Sequence, residues 1–87
     1  MKIFDKSDLN EARKMKDGTV GIFEYVAGGH CHQDRFMVYE GELFFEMDSC
    51  YHDAKTGAPL DCFYRYDEDD NMVIVIRNLD GSIDVDF

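Results

Sequence analysis

The chain has 87 residues, 45% of them hydrophobic and twelve of them aromatic, so it can bury one compact core as a single domain, residues 1–87. Nineteen acids and nine bases give a net charge of −10, and residues 18–87 hold fifteen of the acids but only four of the bases. Such a surface repels nucleic acid and anionic membranes and attracts cationic surfaces. We therefore expect neither direct nucleic-acid binding nor membrane binding.

The N-terminal segment carries the only helix signal. Residues Asp5 to Gly18 begin with a good N-cap residue, Ser7, and end at a glycine that can adopt a left-handed cap. One narrow apolar stripe runs along this segment, formed by Leu9, Ala12 and Met15. A helix of about ten residues is not stable alone, so the stripe is expected to pack on a sheet.

Strand patterns fill the rest of the chain. Arg35 to Asp48 predicts a hairpin with its turn at Glu40-Gly41, and apolar residues on both faces place that hairpin in the middle of a sheet. Further strands are predicted over Thr19–Val26, Cys62–Tyr66, Met72–Arg77 and Ser82–Phe87, with a loop over Ser49–Pro59. In the last strand, period-two alternation turns Ile83, Val85 and Phe87 inward.

The predicted fold class is therefore α+β. One short N-terminal helix packs on a five- to six-stranded antiparallel sheet that follows a meander.

Cysteine usage and the absence of an apolar N-terminal run bear on the compartment. Three cysteines, an odd number, argue against a disulfide framework and for a reducing environment. No apolar run follows Met1, and the longest aliphatic run, Met72 to Ile76, is too short to cross a bilayer. We expect a cytoplasmic, soluble protein.

The acidic residues form a candidate partner-binding surface. Residues two apart in a strand share a face, with a spacing of about 6.6–6.8 Å, and three acidic pairs have that spacing: Glu40/Glu42, Glu46/Asp48 and Asp84/Asp86. A turn adds a block of four acids, Asp67, Glu68, Asp69 and Asp70. Such rows resemble the charge density of a phosphate backbone. The simpler interpretation is a solvated, solubilising surface.

A second candidate lies in the histidines and cysteines, all of which fall between residues 30 and 62. Four of them could complete a tetrahedral Zn²⁺ site: His30, His32, Cys50 and His52. No CxxC or HxxxH spacing accompanies them, and the simpler interpretation is buried cysteines and surface-loop histidines. A Cys–His nucleophilic pair lacks any motif for an oxyanion hole or an orienting group, so we expect neither an enzyme nor a cofactor.

In size and charge the chain resembles small acidic inhibitors of nucleic-acid enzymes, namely anti-restriction proteins, anti-CRISPR proteins and immunity proteins of nuclease toxins. The likeness includes no motif. It implies a non-enzymatic protein whose acids dock on the basic nucleic-acid-binding surface of a nuclease or CRISPR effector, with aromatic anchors among Tyr39, Tyr64 and Tyr66. The alternatives are a small Zn-binding protein and a self-associating structural module.

Overall fold

The computed structural model describes residues 2–48 and 51–86, which form one mixed sheet with little helix. The sheet has seven strands: β1 (Lys2–Phe4), β2 (Val20–Ala27), β3 (His30–Tyr39), β4 (Glu42–Met47), β5 (Asp61–Tyr66), β6 (Met72–Arg77) and β7 (Ile83–Asp86). The strands lie side by side in chain order, as a meander requires. The predicted count of five or six strands and the purely antiparallel pairing are corrected, because β1 pairs with β2 in parallel.

The N-terminal segment differs most from its prediction. Only a 3₁₀ turn, Lys6–Asp8, and a five-residue helix, α1 (Leu9–Arg13), are helical. The N-cap is Asp5 rather than Ser7, since the Asp5 carboxylate accepts the Ser7 N–H at 2.9 Å. Parallel neighbours cannot be joined by a tight turn, so this helical segment is the crossover from β1 to β2. The chain joins the sheet again at Gly18, whose N–H donates to the Val38 carbonyl.

The predicted apolar stripe of the helix is confirmed. Ala12 is fully buried, and Leu9 and Met15 pack against the same cluster. The sheet contributes Phe36, Val38 and Leu43 to that cluster, and β1 contributes Phe4. We call this side of the sheet the outer face.

The central hairpin is also confirmed. β3 and β4 are the third and fourth of seven strands, paired through Phe36–Phe45 and Val38–Leu43. Glu40 and Gly41 both have positive φ, 50° and 74°, as the two-residue turns that match strand twist require. Glutamate pays a steric cost there that glycine avoids.

The opposite side of the sheet, the inner face, buries its own core. Its cluster consists of Met37, Phe44, Phe63 and Val75. Val20 of β2 and both Ile83 and Val85 of β7 pack against it, so strands five places apart meet across one core. The sheet is therefore curled around its inner face, and no helix is needed to cover that side.

The outer face has a second covered patch, at the far end from the helix. Leu60, Cys62 and Ile76 are buried there, and Tyr51 of the β4–β5 loop packs on them. Phe36, Phe45, Tyr64 and Ile74 are paired in a line across β3, β4, β5 and β6. The helix covers Phe36, and the patch around Tyr51 covers Ile74. Phe45 and Tyr64 lie between the two covers.

Two further sequence predictions agree with the structure. Met72–Arg77 is a strand with the predicted bounds, and the inward positions of Ile83 and Val85 are confirmed. Phe87 and the first two residues of the predicted 49–59 loop lie outside the described residues. No described helix has the length and apolar character needed to span a bilayer.

The turn residue Glu40 supplies a stability test. Asparagine adopts positive φ more readily than glutamate, so Glu40→Asn should raise the free energy of unfolding by about 0.5–1 kcal/mol. Chemical denaturation measures the change. Glu40→Gln, which removes the same charge without easing the backbone, should give little or none of that gain, and an equal gain in both variants would attribute the effect to charge.

Candidate binding surfaces

The structure does not collect the predicted acids on one face of the sheet. Strand alternation and cross-strand pairing place Glu42 and Glu46 on the inner side, whereas Asp84 and Asp86 lie on the outer side. Asp48 follows β4 at the opposite end from the β5–β6 turn. The acids are instead divided into groups with different surroundings.

The inner-face acids form ion pairs with two arginines. Arg35 contacts Glu46 and, at 3.2 Å, Asp61, and both carboxylates raise the arginine pKa, Asp61 by the larger hydrogen-bond contribution. Arg65 lies 3.7 Å from Glu42. The same guanidinium groups lie over the rings of the inner core, Arg35 at 5.3 Å from Phe63 and Arg65 at 5.9 Å from Phe44. Two of the four bases in residues 18–87 are thus used inside the fold.

The β7 acids have hydrogen-bond partners within the chain. Asp84 accepts from the Asn78 side chain at 3.0 Å, and Asp86 accepts from the Tyr51 hydroxyl. Asp86 therefore holds the β4–β5 loop over the outer face. These two carboxylates stay at the surface, but their first role is to fix local structure.

One end of the sheet concentrates acids, and we call it the acidic edge. It comprises the β3–β4 turn, the start of β4 and the β5–β6 turn, together with a residue bonded to them: Asp17, Glu40, Glu42, Asp67, Glu68, Asp69 and Asp70. The Asp17 carboxylate accepts the Glu40 N–H at 2.8 Å, which joins the segment before β2 to this edge. Tyr39 is half-buried behind it, edge-on to Phe44.

The β5–β6 turn holds its acids in a fixed arrangement. The Asp67 carboxylate accepts the N–H groups of Asp69 and Asn71, each at 2.9 Å. Glu68, Asp69 and Asp70 are exposed, and their carboxylates take no hydrogen bond from a described residue. Glu40 and Asp67 line one groove of about 410 Å³ together with Arg65, so the two turns border the same space.

A larger groove of about 590 Å³ opens on the outer face, where residues of β2, β3, β4 and β5 line it. We call it the aromatic groove and define it by the outer-face side chains that line it: Phe23, Tyr25, Asp34, Phe45, Tyr64 and Tyr66. It forms because β4 pairs with β3 only as far as Phe45 and then follows β5. Beyond that point β2 and β3 continue as a two-stranded arm.

The aromatic groove has five rings and one carboxylate. Phe23 stacks on Tyr25 with 5.1 Å between ring centroids, and Phe23 contacts Phe45 at 6.3 Å. On the other wall Tyr64 meets Tyr66 edge-on at 5.9 Å. Four further lining residues, Gln33, Arg35, Glu46 and Arg65, belong by alternation to the inner face. Their polar groups bond to inner-face partners.

Asp34 is the charged side chain directed to the aromatic groove. It forms no ion pair with a described side chain. Its carboxylate accepts a hydrogen bond from the Tyr25 hydroxyl, and that bond raises the Tyr25 pKa above its ordinary value, with burial and the negative charge adding smaller contributions. Tyr25 in turn stacks on His32, its cross-strand neighbour, at 5.1 Å.

The histidine and cysteine candidates are spread along one end of the molecule. His30 and His32 do share a face of β3, as local extension requires, whereas His52 lies in the β4–β5 loop, bridged to Pro59. Cys50 lies outside the described residues. Cys31 is exposed and Cys62 is buried. Among the described residues, no three metal-binding side chains are grouped closely enough to hold an ion.

Comparisons with protein-family models, curated proteins and solved structures find no match to this chain. The function is therefore argued from the surfaces alone.

The sequence singled out Tyr64 and Tyr66 but missed their partners across the aromatic groove. The strand pattern of Thr19–Val26 includes Phe23 and Tyr25 but gives them no role in binding, and Asp34 precedes the predicted hairpin. The missing information was the length of β3. Val26 to Asp34 alternates too weakly to predict that the strand starts at His30, ten residues before the turn at Glu40.

The Tyr25–Asp34 hydrogen bond can be tested by titration. The phenol of Tyr25 should lose its proton at a higher pH than an exposed tyrosine, because its proton is held in the hydrogen bond to Asp34 and ionisation would also place a second negative charge there. In Asp34→Asn the pKa should fall toward its ordinary value, as read from the Tyr25 ring-carbon chemical shift. An unchanged titration in that variant would show that the two groups do not interact.

Proposed function

We propose that this protein is a small acidic, non-enzymatic inhibitor that binds the basic nucleic-acid-binding surface of another protein. The observation that supports this most is the acidic edge, where two turns that carry acids border the same space. Inhibition would be by occupation, since a partner whose basic groove holds these carboxylates cannot hold its nucleic acid.

The positions of the basic residues favour electrostatic attraction between the acidic edge and a basic partner. Within the acidic edge Arg65 pairs with Glu42, whereas Glu68, Asp69 and Asp70 form no ion pair with a described side chain. The acids at the β5–β6 turn therefore act on a partner with little internal neutralisation. A surface of one sign raises the rate of association with an oppositely charged partner and rejects partners of like charge.

The spacing of the turn acids suits a site built for phosphates. Glu68, Asp69 and Asp70 are consecutive and exposed, and consecutive residues lie about 3.8 Å apart at their Cα atoms. A nucleic-acid strand places one charge about every 3.4 Å along the helix axis. Lysine and arginine side chains arranged to meet such a strand can meet this turn instead.

The target class follows from the same chemistry. A surface that has to bind and move along nucleic acid is rich in lysine and arginine. We therefore propose that the partner is a nuclease, a restriction enzyme or a CRISPR effector, and that the protein acts in the cytoplasm without a cofactor. Neither a zinc-dependent role nor a purely self-associating role is favoured by a specific feature of the described residues.

Affinity capture with competition tests this proposal. The tagged protein is incubated with cell lysate, and the retained proteins are eluted with duplex or single-stranded nucleic acid. We expect a nucleic-acid-binding protein to be retained and then released by nucleic acid at low salt. Retention of a partner that nucleic acid does not displace would contradict the proposed mode of inhibition.

Charge-neutralising variants locate the contact. Glu68→Gln/Asp69→Asn should weaken binding of the captured partner by about tenfold or more, because each close interfacial charge pair contributes about 1.5 kcal/mol or more. The matched control is Glu24→Gln/Asp48→Asn, which removes the same charge away from the acidic edge. Equal weakening in both double variants would mean that only net charge matters, and no weakening in either would reduce the acids to a solubilising surface.

A further inference from the structure

We infer that the aromatic groove is a binding site for a guanidinium group, the side chain of an arginine carried by a partner protein. The proposal concerns the outer face, whereas the acidic edge lies at the end of the sheet. It deepens the proposed function by naming the partner residue that anchors the complex. The origin of the arginine in a partner protein rests on the proposed function.

The chemistry of the lining points to a cation. Aromatic rings carry negative charge on their faces, and a guanidinium over such a face is attracted to it. Five rings line the aromatic groove, and the carboxylate of Asp34 stands at the wall formed by the β2–β3 arm. A planar cation can therefore stack on a ring while donating hydrogen bonds to Asp34, which is the combination that arginine provides and lysine does not.

No cation of the chain itself is directed into this space. Arg35 and Arg65 also line the aromatic groove, but strand alternation places both on the inner face, where their guanidinium groups lie over Phe63 and Phe44. Asp34 is left without an ion pair to a described side chain. The groove thus offers an unneutralised carboxylate beside rings that are only half-buried, and charge complementarity selects a cationic occupant.

A nucleic-acid base could also stack on exposed rings, but the electrostatics oppose it. Proteins that stack single-stranded bases combine aromatic platforms with a positively charged groove. Here the charged side chain at the platform is an aspartate, and residues 18–87 carry a large negative excess. The same features that repel a phosphate backbone favour the side chain of a protein that binds one.

The position of the aromatic groove fits a shared interface. Tyr66, which is 55% exposed, forms one wall, and it is followed directly by Asp67 of the β5–β6 turn. A partner seated on the acidic edge therefore has the groove within reach of the next arginine side chain. Buried aromatic and arginine anchors carry a large share of binding energy in protein interfaces.

The test uses the full-length protein and a defined probe, the peptide acetyl-Gly-Arg-Gly-amide, followed by NMR of the aromatic rings. We expect saturable shifts at Tyr25, Phe45, Tyr64 and Tyr66. The citrulline peptide, which has nearly the same shape without the charge, should bind several-fold more weakly. Equal binding of the two peptides, or shifts confined to the acidic edge, would overturn the inference.

Two variants in the aromatic groove and one control outside it separate specific binding from general electrostatic attraction. Asp34→Asn should lower the affinity for the arginine peptide by about threefold, which is the effect of losing one exposed charge pair. Tyr66→Ala should also weaken binding of the arginine peptide. This variant should fold, because the Tyr66 side chain is mostly exposed. Glu68→Gln, an equal charge change outside the groove, should leave the affinity within about twofold. Equal weakening by Asp34→Asn and Glu68→Gln would overturn the inference in favour of bulk electrostatics.

The same NMR spectra distinguish other ligands of the aromatic groove. Ring shifts that depend on protein concentration without peptide would assign the groove to a second copy of the chain. Ring shifts with a single-stranded oligonucleotide but not with the arginine peptide would assign it to nucleic acid, and either result overturns the inference. Because the titration involves no partner protein, its failure leaves the capture experiment intact, and a failed capture leaves the peptide result intact.

Discussion

The pairing of β3 with β4 is the constraint on which the rest of the structure depends. Phe36, Val38 and Leu43 point to the outer face and support the helix, while Met37 and Phe44 point to the inner face and found the second core. A shift of one residue in this register would exchange the two sets and expose both cores. The same pairing stops at Phe45, and the divergence of β4 toward β5 opens the aromatic groove. The fold and the candidate site thus have one origin.

The acidic composition carries a stability cost that the fold partly offsets. Two arginines cover the inner core and neutralise acids on the same face, so charge pairing and ring packing are provided by the same side chains. Half-exposed ion pairs of this kind contribute about 0–1 kcal/mol each. The acids of the β5–β6 turn receive no such compensation, apart from the hydrogen bonds that Asp67 accepts. Their repulsion is tolerated because the turn is exposed to water.

Several elements could be predicted from the sequence because their signals are local. The Glu40-Gly41 turn, the Met72–Arg77 strand and the apolar stripe of the helix each depend on a few neighbouring residues. The missed elements depend on distant ones. β1 has three residues and exists through its pairing with β2, and the segment after the helix is tied to β3 by the bond from Gly18 to Val38. Residue spacing likewise could not show that Glu42 and Glu46 face the inner core and its arginines.

The candidate site shows the same limit. The sequence located the acidic turn and two of the groove tyrosines, since charge blocks and aromatic residues are visible directly. It could not show that Tyr64 lines the same groove as Phe23 and Asp34, which lie thirty or more residues away from it in the chain. These side chains share a groove only because β4 leaves β3. Cross-strand proximity of this kind is set by topology.

Hydrogen exchange of the protein alone and bound to its captured partner tests the central claim most directly. If the acidic edge and the aromatic groove form one interface, binding should slow amide exchange in the β3–β4 turn, the β5–β6 turn and the arm around Asp34. Exchange in α1 and β1 should be unchanged. Protection confined to the helix, to β1 or to β7 would contradict the account, because the partner would then bind a surface that neither the acids nor the rings define.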